Sequence, residues 1–340
     1  MKLQHTTARK LISAGILLLL MIFFTLNSDV FLTVRNINTI LREASVLGIV
    51  AVGMTFVIIT GGIDLSVGSI MSVVAMTCIN LIRFTGIPVI LIILIGILIG
   101  TACGAINGLI ISRLNVPDFI GSLATQGIFR GLTLMIAVKQ GGLIVSTGIR
   151  NPFYLSLGDQ GLFGIFWATW ALIFVGILGH VILRKTKIGI YSYAIGSNRK
   201  SAMLSGISFD RVKLFVYSFS GLCCAFGGIF TSARLRTATV ELGKGFETDV
   251  IAAVVVGGTS MLGGRGDIVG SLIGALFIAV LDNGIRKFNI HAAYMTMMRG
   301  VIILVFVLFD AWYQRRYERK LLSVAKQDIG ADPVKEVSHE

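Results

Sequence analysis

The chain is predicted to be an all-α, polytopic integral membrane protein, and three features of its sequence carry that reading. Of its 340 residues, 55% are hydrophobic and only 14% are charged, whereas a soluble domain carries about 25% charged residues. Its mean hydropathy is +0.86, which leaves too little polar surface to cover a core of this size in water; lipid removes that requirement. The apolar residues also gather in long runs, and a helix needs ~20 such residues to cross a bilayer.

About ten transmembrane helices follow, some of them short or broken at glycine-rich turns. Residues 11–27 have a basic flank but no small-residue cleavage site after them, so they read as a first membrane helix rather than a removed signal peptide. Residues 44–63 hold no charge between Glu43 and Asp64, and 65–82 follow at once. The run 89–112 is also free of charge, and 118–138 contains Arg130. Next come 162–183 and 214–233, the latter ending before Arg234 and Arg236. The runs 249–264 and 267–285 are short and meet at glycines, and 292–312 contains Arg299. Pro88 and Pro117 stand at helix starts, where a missing N–H costs little.

Glycines recur every four residues at Gly96, Gly100, Gly104 and Gly108, and again at Gly266, Gly270 and Gly274. Residues four apart share a helix face, so each set makes a smooth stripe for close helix packing. Gly61-Gly62-Ile63-Asp64-Leu65-Ser66-Val67-Gly68-Ser69 also echoes Gly263-Gly264-Arg265-Gly266-Asp267-Ile268-Val269-Gly270-Ser271. Broken helices at matching places in two halves point to a transport path. A second echo, Arg130-Gly131-Leu132 against Arg299-Gly300-Val301, has a different offset and leaves the symmetry suggestive only.

The net charge of +13 is distributed as topology, not as a nucleic-acid footprint. Lys2, Arg9 and Lys10 precede the first run; Arg184, Lys185, Lys187, Arg199, Lys200, Arg211 and Lys213 crowd one interior loop; Arg315, Arg316, Arg319 and Lys320 follow the last run. Ten spans put all three stretches on one side, the cytoplasm, as the positive-inside rule requires. The expected organisation is a cytoplasmic N-terminus (1–10), a transmembrane domain (11–312) with a cytoplasmic loop at 184–213, and a cytoplasmic, polar, disordered tail (313–340). Loop 139–161 then lies outside.

Polar groups inside the runs are the candidate functional residues. Asp64 costs at least about 2.5–3.5 kcal/mol at mid-bilayer and should face a bundle interior or water. Two compatible readings stand. The segment Gly61, Gly62, Asp64, Ser66, Gly68 and Ser69 lines a translocation path, or Asp64 caps the third helix at the cytoplasmic surface. Asn80, Asn107 and Gln126 suit interhelical hydrogen bonds. Arg130 and Arg299 either snorkel to an interface or pair with an acid. Asp282 and Asn283 are placed at the outer surface.

Several chemistries are missing. Gly243-Lys244 is followed by Gly245 and preceded by Ala238 where a phosphate-binding loop would hold its first glycine, so no Walker A motif is present. Neither HExxH nor GxSxG occurs, and His5, His180, His291 and His339 are scattered. Cys78, Cys103, Cys223 and Cys224 lie inside apolar runs without CxxC spacing and read as small buried residues. No catalytic residue, cofactor or metal is expected, and any ATPase must be another chain.

Long motifs then match in order. Gly53 to Ser69 resembles the signature of ribose-type sugar ABC importer permeases, as do Asn107-Gly108-Leu109-Ile110, Pro117-Asp118-Phe119-Ile120, Tyr193 to Asn198, Leu204 to Ile207, Ile251 to Ser260 and Gly263 to Gly266. The resemblance covers about 45–300. It implies a multi-pass permease of the bacterial cytoplasmic (inner) membrane, in contact with membrane lipid. Its expected partners are a tandem ATP-binding subunit, a periplasmic or lipid-anchored sugar-binding protein, and a second permease, either a copy in a homodimer or a sister in a heterodimer. Asn107 is counted with the path or gate candidates, and the resemblance implies that Gly196, Asn198, Ser201, Ala202, Leu204, Ser205 and Gly206 form the segment that docks into the ATPase. Where this superfamily usually has Glu-Ala-Ala, three residues and Gly, the chain has Lys200-Ser201-Ala202 and Gly206. The alternatives are a branched-chain amino-acid ABC permease and an ion-coupled secondary transporter acting alone; the latter wants buried acids or histidines, of which few exist beyond Asp64.

Overall fold

A computed structural model describes residues 2–139, 144–146, 149, 151–159 and 161–288, with isolated residues as far as 308. The chain is a helical bundle: α1 (Lys2–Leu26), α2 (Val34–Ile59), α3 (Val67–Phe84), α4 (Val89–Arg113) and α5 (Asp118–Lys139) come first. Strand β1 (Ile144–Ser146), α6 (Pro152–Asp159) and the hairpin β2 (Gly161–Leu162) and β3 (Ile165–Phe166) follow. Then come α7 (Trp167–Lys185), α8 (Lys187–Ser197), α9 (Arg199–Leu204), α10 (Phe209–Leu235), β4 (Thr237–Thr239), α11 (Phe246–Val256) and α12 (Ile268–Lys287). Helices dominate because lipid offers no partner for backbone groups, so each segment must satisfy its own.

Seven described helices are long and apolar enough to cross a membrane: α2, α3, α4, α5, α7, α10 and α12. That corrects the expectation of about ten for the described residues. The run 249–264 is not one spanning helix: α11 covers only Phe246–Val256, and turns with Gly258, Gly263 and Gly264 at positive φ occupy most of the stretch before α12. The run 44–63 begins a decade earlier, at Val34, where Thr33 caps the helix through its side chain. The expected loop 184–213 is largely helical, formed by α8, α9 and the first turn of α10. The tenth run, with Arg299, and the tail 313–340 lie outside the described residues, apart from scattered positions up to 308.

The core is built around α2, buried on every side from Ala44 to Ile59. A helix apolar all round belongs at the centre. Helices α7, α10, α11 and α12 pack against it, and α1 lies outermost, against α12. Peripheral α1, α4 and α7 expose apolar faces, among them Leu18, Leu19, Leu94, Leu98, Phe174 and Ile177. The α4 glycine stripe meets α10: a Cβ at Gly100 would strike Gly221 and Ala225, and one at Gly104 the Tyr217 carbonyl. The second stripe packs likewise, with Gly270 on Gly257 and Gly274 on Ala253. Strands β1 and β4 pair antiparallel, so the segments after α5 and α10 share one end of the bundle. Asp282 and Asn283 are buried, not at an outer surface; Asn36 donates to Asn283 at 2.9 Å.

Candidate translocation site

Helix α2 ends by local backbone chemistry. Gly62 N–H donates to the Val57 carbonyl and Gly61 N–H to that of Ile58, a Schellman pair with Gly61 at φ 76°. The chain then turns, and α3 starts only at Val67. Inside that break Asp64 is 0% exposed. Its Oδ1 accepts from Ser66 N (2.9 Å) and Ser66 Oγ (2.6 Å), and its Oδ2 from Ser220 Oγ of α10 (3.2 Å). Asn107 Nδ2 of α4 donates to Ser66 Oγ at 2.7 Å, which leaves Asn107 Oδ1 buried without a partner. Ser69 Oγ donates to the Ser66 carbonyl at 2.7 Å, and Ser122 Oγ of α5 to the Ile63 carbonyl at 3.0 Å. Four helices thus converge on the break. Asp64 satisfies Ser66, the residue before the first turn, and is no surface cap. The predicted residues Gly61, Gly62, Asp64, Ser66, Gly68, Ser69 and Asn107 do come together.

The sequence reading missed the layer next to it. Lys213, counted in the solvated basic loop, is 1% exposed and ion-paired with Asp118. Tyr217 OH donates to the same Asp118 Oδ2 at 2.7 Å. A Cβ at Gly62 would run into that carboxylate, so glycine there is what admits the pair. Arg130's guanidinium donates to the carbonyls of Val240 and Leu242, the latter at 2.9 Å, with Glu241 and Glu247 nearby. Gln126 does make the expected interhelical bond, to Glu247 Oε1 at 3.3 Å. Asn80 makes none, its amide atoms being buried and unpartnered.

The two echoing motifs meet through α8. Gly264 N–H donates to the Ile59 carbonyl at 2.8 Å. A Cβ at Gly263 would lie 2.9 Å from the Gly196 oxygen and 3.0 Å from Gly61 Cα, and a Cβ at Gly196 would strike the Ile59 carbonyl. Gly61, Gly196 and Gly263 therefore form one close backbone node. Around it, Tyr193 OH donates to the Gly266 carbonyl at 2.7 Å, its phenol pushed up to about 12 by burial, and Arg184 reaches Asp267 at 3.4 Å.

Helix α9 is capped by Asn198, which accepts from Ser201 N at 2.9 Å, and closes at Ser205 with Gly206 at φ 81°. Ala202 is buried, whereas Leu204 projects, 90% exposed. Arg199 stacks on Phe209 at 3.7 Å and donates to Asn115, between α4 and α5, at 2.8 Å. At the other end of the bundle, a cleft of about 690 Å³ is lined by Arg35, Asn36, Asn283, Arg286 and Lys287. Among the described residues, no group of three His, Cys, Asp or Glu side chains is placed to hold a metal.

The family model described as "Branched-chain amino acid transport system / permease component" matches residues 36–307. The ribose import permease of Haemophilus influenzae is 39% identical over 298 residues, 87% of this chain and 91% of the relative. That of Bacillus subtilis is 41% identical over 297 residues, covering 87% and 90%. The L-arabinose ABC transporter permease of Azospirillum brasilense is 33% identical over 314 residues, covering 92% and 90%. No solved structure matches. A buried polar break, a helical segment projecting from the bundle and kinship over nearly the whole chain agree, and the chain belongs to this family of ABC importer membrane permeases.

Proposed function

We propose that this chain carries a neutral sugar through the bacterial cytoplasmic membrane. An extracytoplasmic binding protein delivers the sugar, and a separate tandem ATPase, docked on α8 and α9, drives its passage. A second permease, copy or sister, completes the path. The observation that carries this is the Gly61–Gly196–Gly263 node, which ties the docking segment to the buried polar break at Asp64. The relatives' named sugars, ribose and L-arabinose, set the substrate class.

The N-terminus, α8–α9 and the tail face the cytoplasm in this reading. The exposed Leu204 and the αL Gly206 give α9 a protruding tip suited to a groove on the ATPase. At the opposite end, Arg35 and Lys287 offer cations to an acidic face of the binding protein, beside Arg286, which is paired with Glu43. ATP binding draws the cytoplasmic halves together, and α8 passes that displacement to the ends of α2 and of the 257–267 turn. Asp64, Ser66 and Asn107 gate the path, and hydrolysis resets it.

The test is uptake of labelled D-ribose and L-arabinose by proteoliposomes holding permease, ATPase and binding protein. ATP-dependent uptake that a bulky Gly206 variant abolishes, with ATP hydrolysis no longer stimulated by loaded binding protein, is expected. Uptake without ATP by the chain alone would sink the reading.

A further inference from the structure

Polar side chains within an apolar bundle need a reason. Gln126 and Arg130 stand four residues apart on α5 and so share a face. Both reach the stretch that runs from the end of β4 into the first turn of α11. Arg130 holds the Val240 and Leu242 carbonyls, and Gln126 holds Glu247 Oε1 at 3.3 Å. The other carboxylate oxygen, Glu247 Oε2, is buried and accepts no hydrogen bond from any described group. Leaving a buried acceptor unmet costs about 1–3 kcal/mol, more for a charged one. A function for the oxygen would account for that cost.

Glu247 lies beside the break at Asp64. A Cβ at Gly68, in the first turn of α3, would sit 3.0 Å from Oε2 and strike the Gly243 carbonyl. The carboxylate is thus wedged between α3, α5 and the start of α11, close to the α2–α3 break. Its outer side is polar, with Glu241 and Lys244 exposed and paired at 2.6 Å. On α5, Gly127 and Gly131 leave open space, with no atom within 4 Å of a Cβ there. The faces that α1, α4 and α7 expose are instead lined by leucine, isoleucine and phenylalanine. α5 also exposes Leu123, Ile128 and Met135, so the polar part of this flank is the strip made by Gln126, Arg130, Glu247 and the Glu241–Lys244 pair.

We propose that Glu247, Gln126 and Arg130 form a hydroxyl-recognition site on the path, with Glu247 Oε2 accepting from hydroxyls of a neutral polyhydroxylated solute. A carboxylate takes two donors from vicinal hydroxyls, while an amide and a guanidinium donate to hydroxyl oxygens, so the set matches a sugar and no single charge. The site rests on the sugar-import reading and deepens it, because it gives the permease selectivity of its own.

Two measurements on the reconstituted complex of permease, ATPase and binding protein test this. The first is labelling by a charged methanethiosulfonate reagent of Gln126→Cys and Glu247→Cys, with Leu98→Cys as the lipid-facing control; the four native cysteines are buried. Labelling at 126 and 247 is expected to run at least about ten-fold faster than at 98, and equal rates would overturn the site whatever solute is carried. The second is competitive uptake of D-ribose, L-arabinose, D-xylose and D-allose. Glu247→Gln and Gln126→Ala are expected to lower uptake about ten-fold or more and to change the ratios among sugars differing at one hydroxyl, with Glu247→Asp restoring part of both. Unchanged ratios in variants that assemble at wild-type level would overturn the proposal. Should the wild-type complex take up none of the four, the sugar reading fails instead, and the labelling rates still decide whether the site lies on the path.

Discussion

Two stretches of this chain are written almost alike, and the fold uses them differently. Residues 61–69 and 263–271 each pair glycines with an aspartate ahead of a helix, and their glycines touch. Asp64 then turns into the bundle, where hydroxyls of Ser66 and Ser220 serve it. Asp267 turns toward α7 and meets Arg184, 37% exposed, with His180 4.0 Å away. One carboxylate is held by groups that can rearrange with little charge displacement. The other is held by a cation in the last turn of α7. The motif's constant part is the backbone node, while the neighbouring helices decide whether its acid faces the interior or Arg184.

The largest effect is expected at Asp64. Asp64→Ala removes three hydrogen bonds from a fully buried group, each worth about 1.5–3 kcal/mol when charged, so a loss of about 3–5 kcal/mol is expected after relaxation. Asp64→Asn keeps the shape and most bonds and should restore most of the stability while changing uptake. Thermal melting of the purified complex in detergent, beside ATP-dependent uptake, separates the two effects. A melting temperature for Asp64→Ala equal to wild type would mean that the break is held by backbone alone.

The pair beside it comes next. Lys213→Met leaves the partly buried Asp118 opposite Gly62 with only Tyr217 to serve it, and about 2–3 kcal/mol should be lost. Lys213→Met with Asp118→Leu should recover much of that, since removing both charges avoids the unpaired one. A double variant as unstable as the sum of the single ones would show that the two act independently.

Long elements were legible because hydropathy needs no tertiary information: α3, α4, α5 and α12 lie close to their predicted runs. The glycine stripes were legible for the same reason, since spacing alone fixes a face. The 249–264 run misled because its composition suits a span, yet Gly257 and Gly258 end α11 after 11 residues. Asp64 was found because a charge in an apolar run stands out. Lys213 was not, because it sits at the border of such a run beside Arg211, where sequence cannot tell a solvated lysine from a paired one. Glu247 was missed likewise: its worth lies in Gln126 and Gly68, far away in sequence.

At the second junction the expected effects shrink. Gly263→Ala forces a non-glycine residue to φ 81° and presses on Gly196 and Gly61, so strain of about 1–2 kcal/mol is expected. Because the node lies between α8 and α2, its larger readout should be the ratio of sugar moved to ATP hydrolysed. A lower melting temperature with an unchanged ratio would make the node structural only. Arg184→Gln should cost less, about 0–1 kcal/mol, because the cation is partly solvated and its bond to Asp267 is long at 3.4 Å. Raised salt provides the check: screening weakens an exposed pair but leaves hydroxyl bonds nearly untouched. Wild type and Arg184→Gln should therefore converge in melting temperature as salt rises, while wild type and Asp64→Ala stay apart. A difference at Arg184 that persisted in high salt would place Asp267 with Asp64, as an interior acid, and erase the contrast between the two motifs.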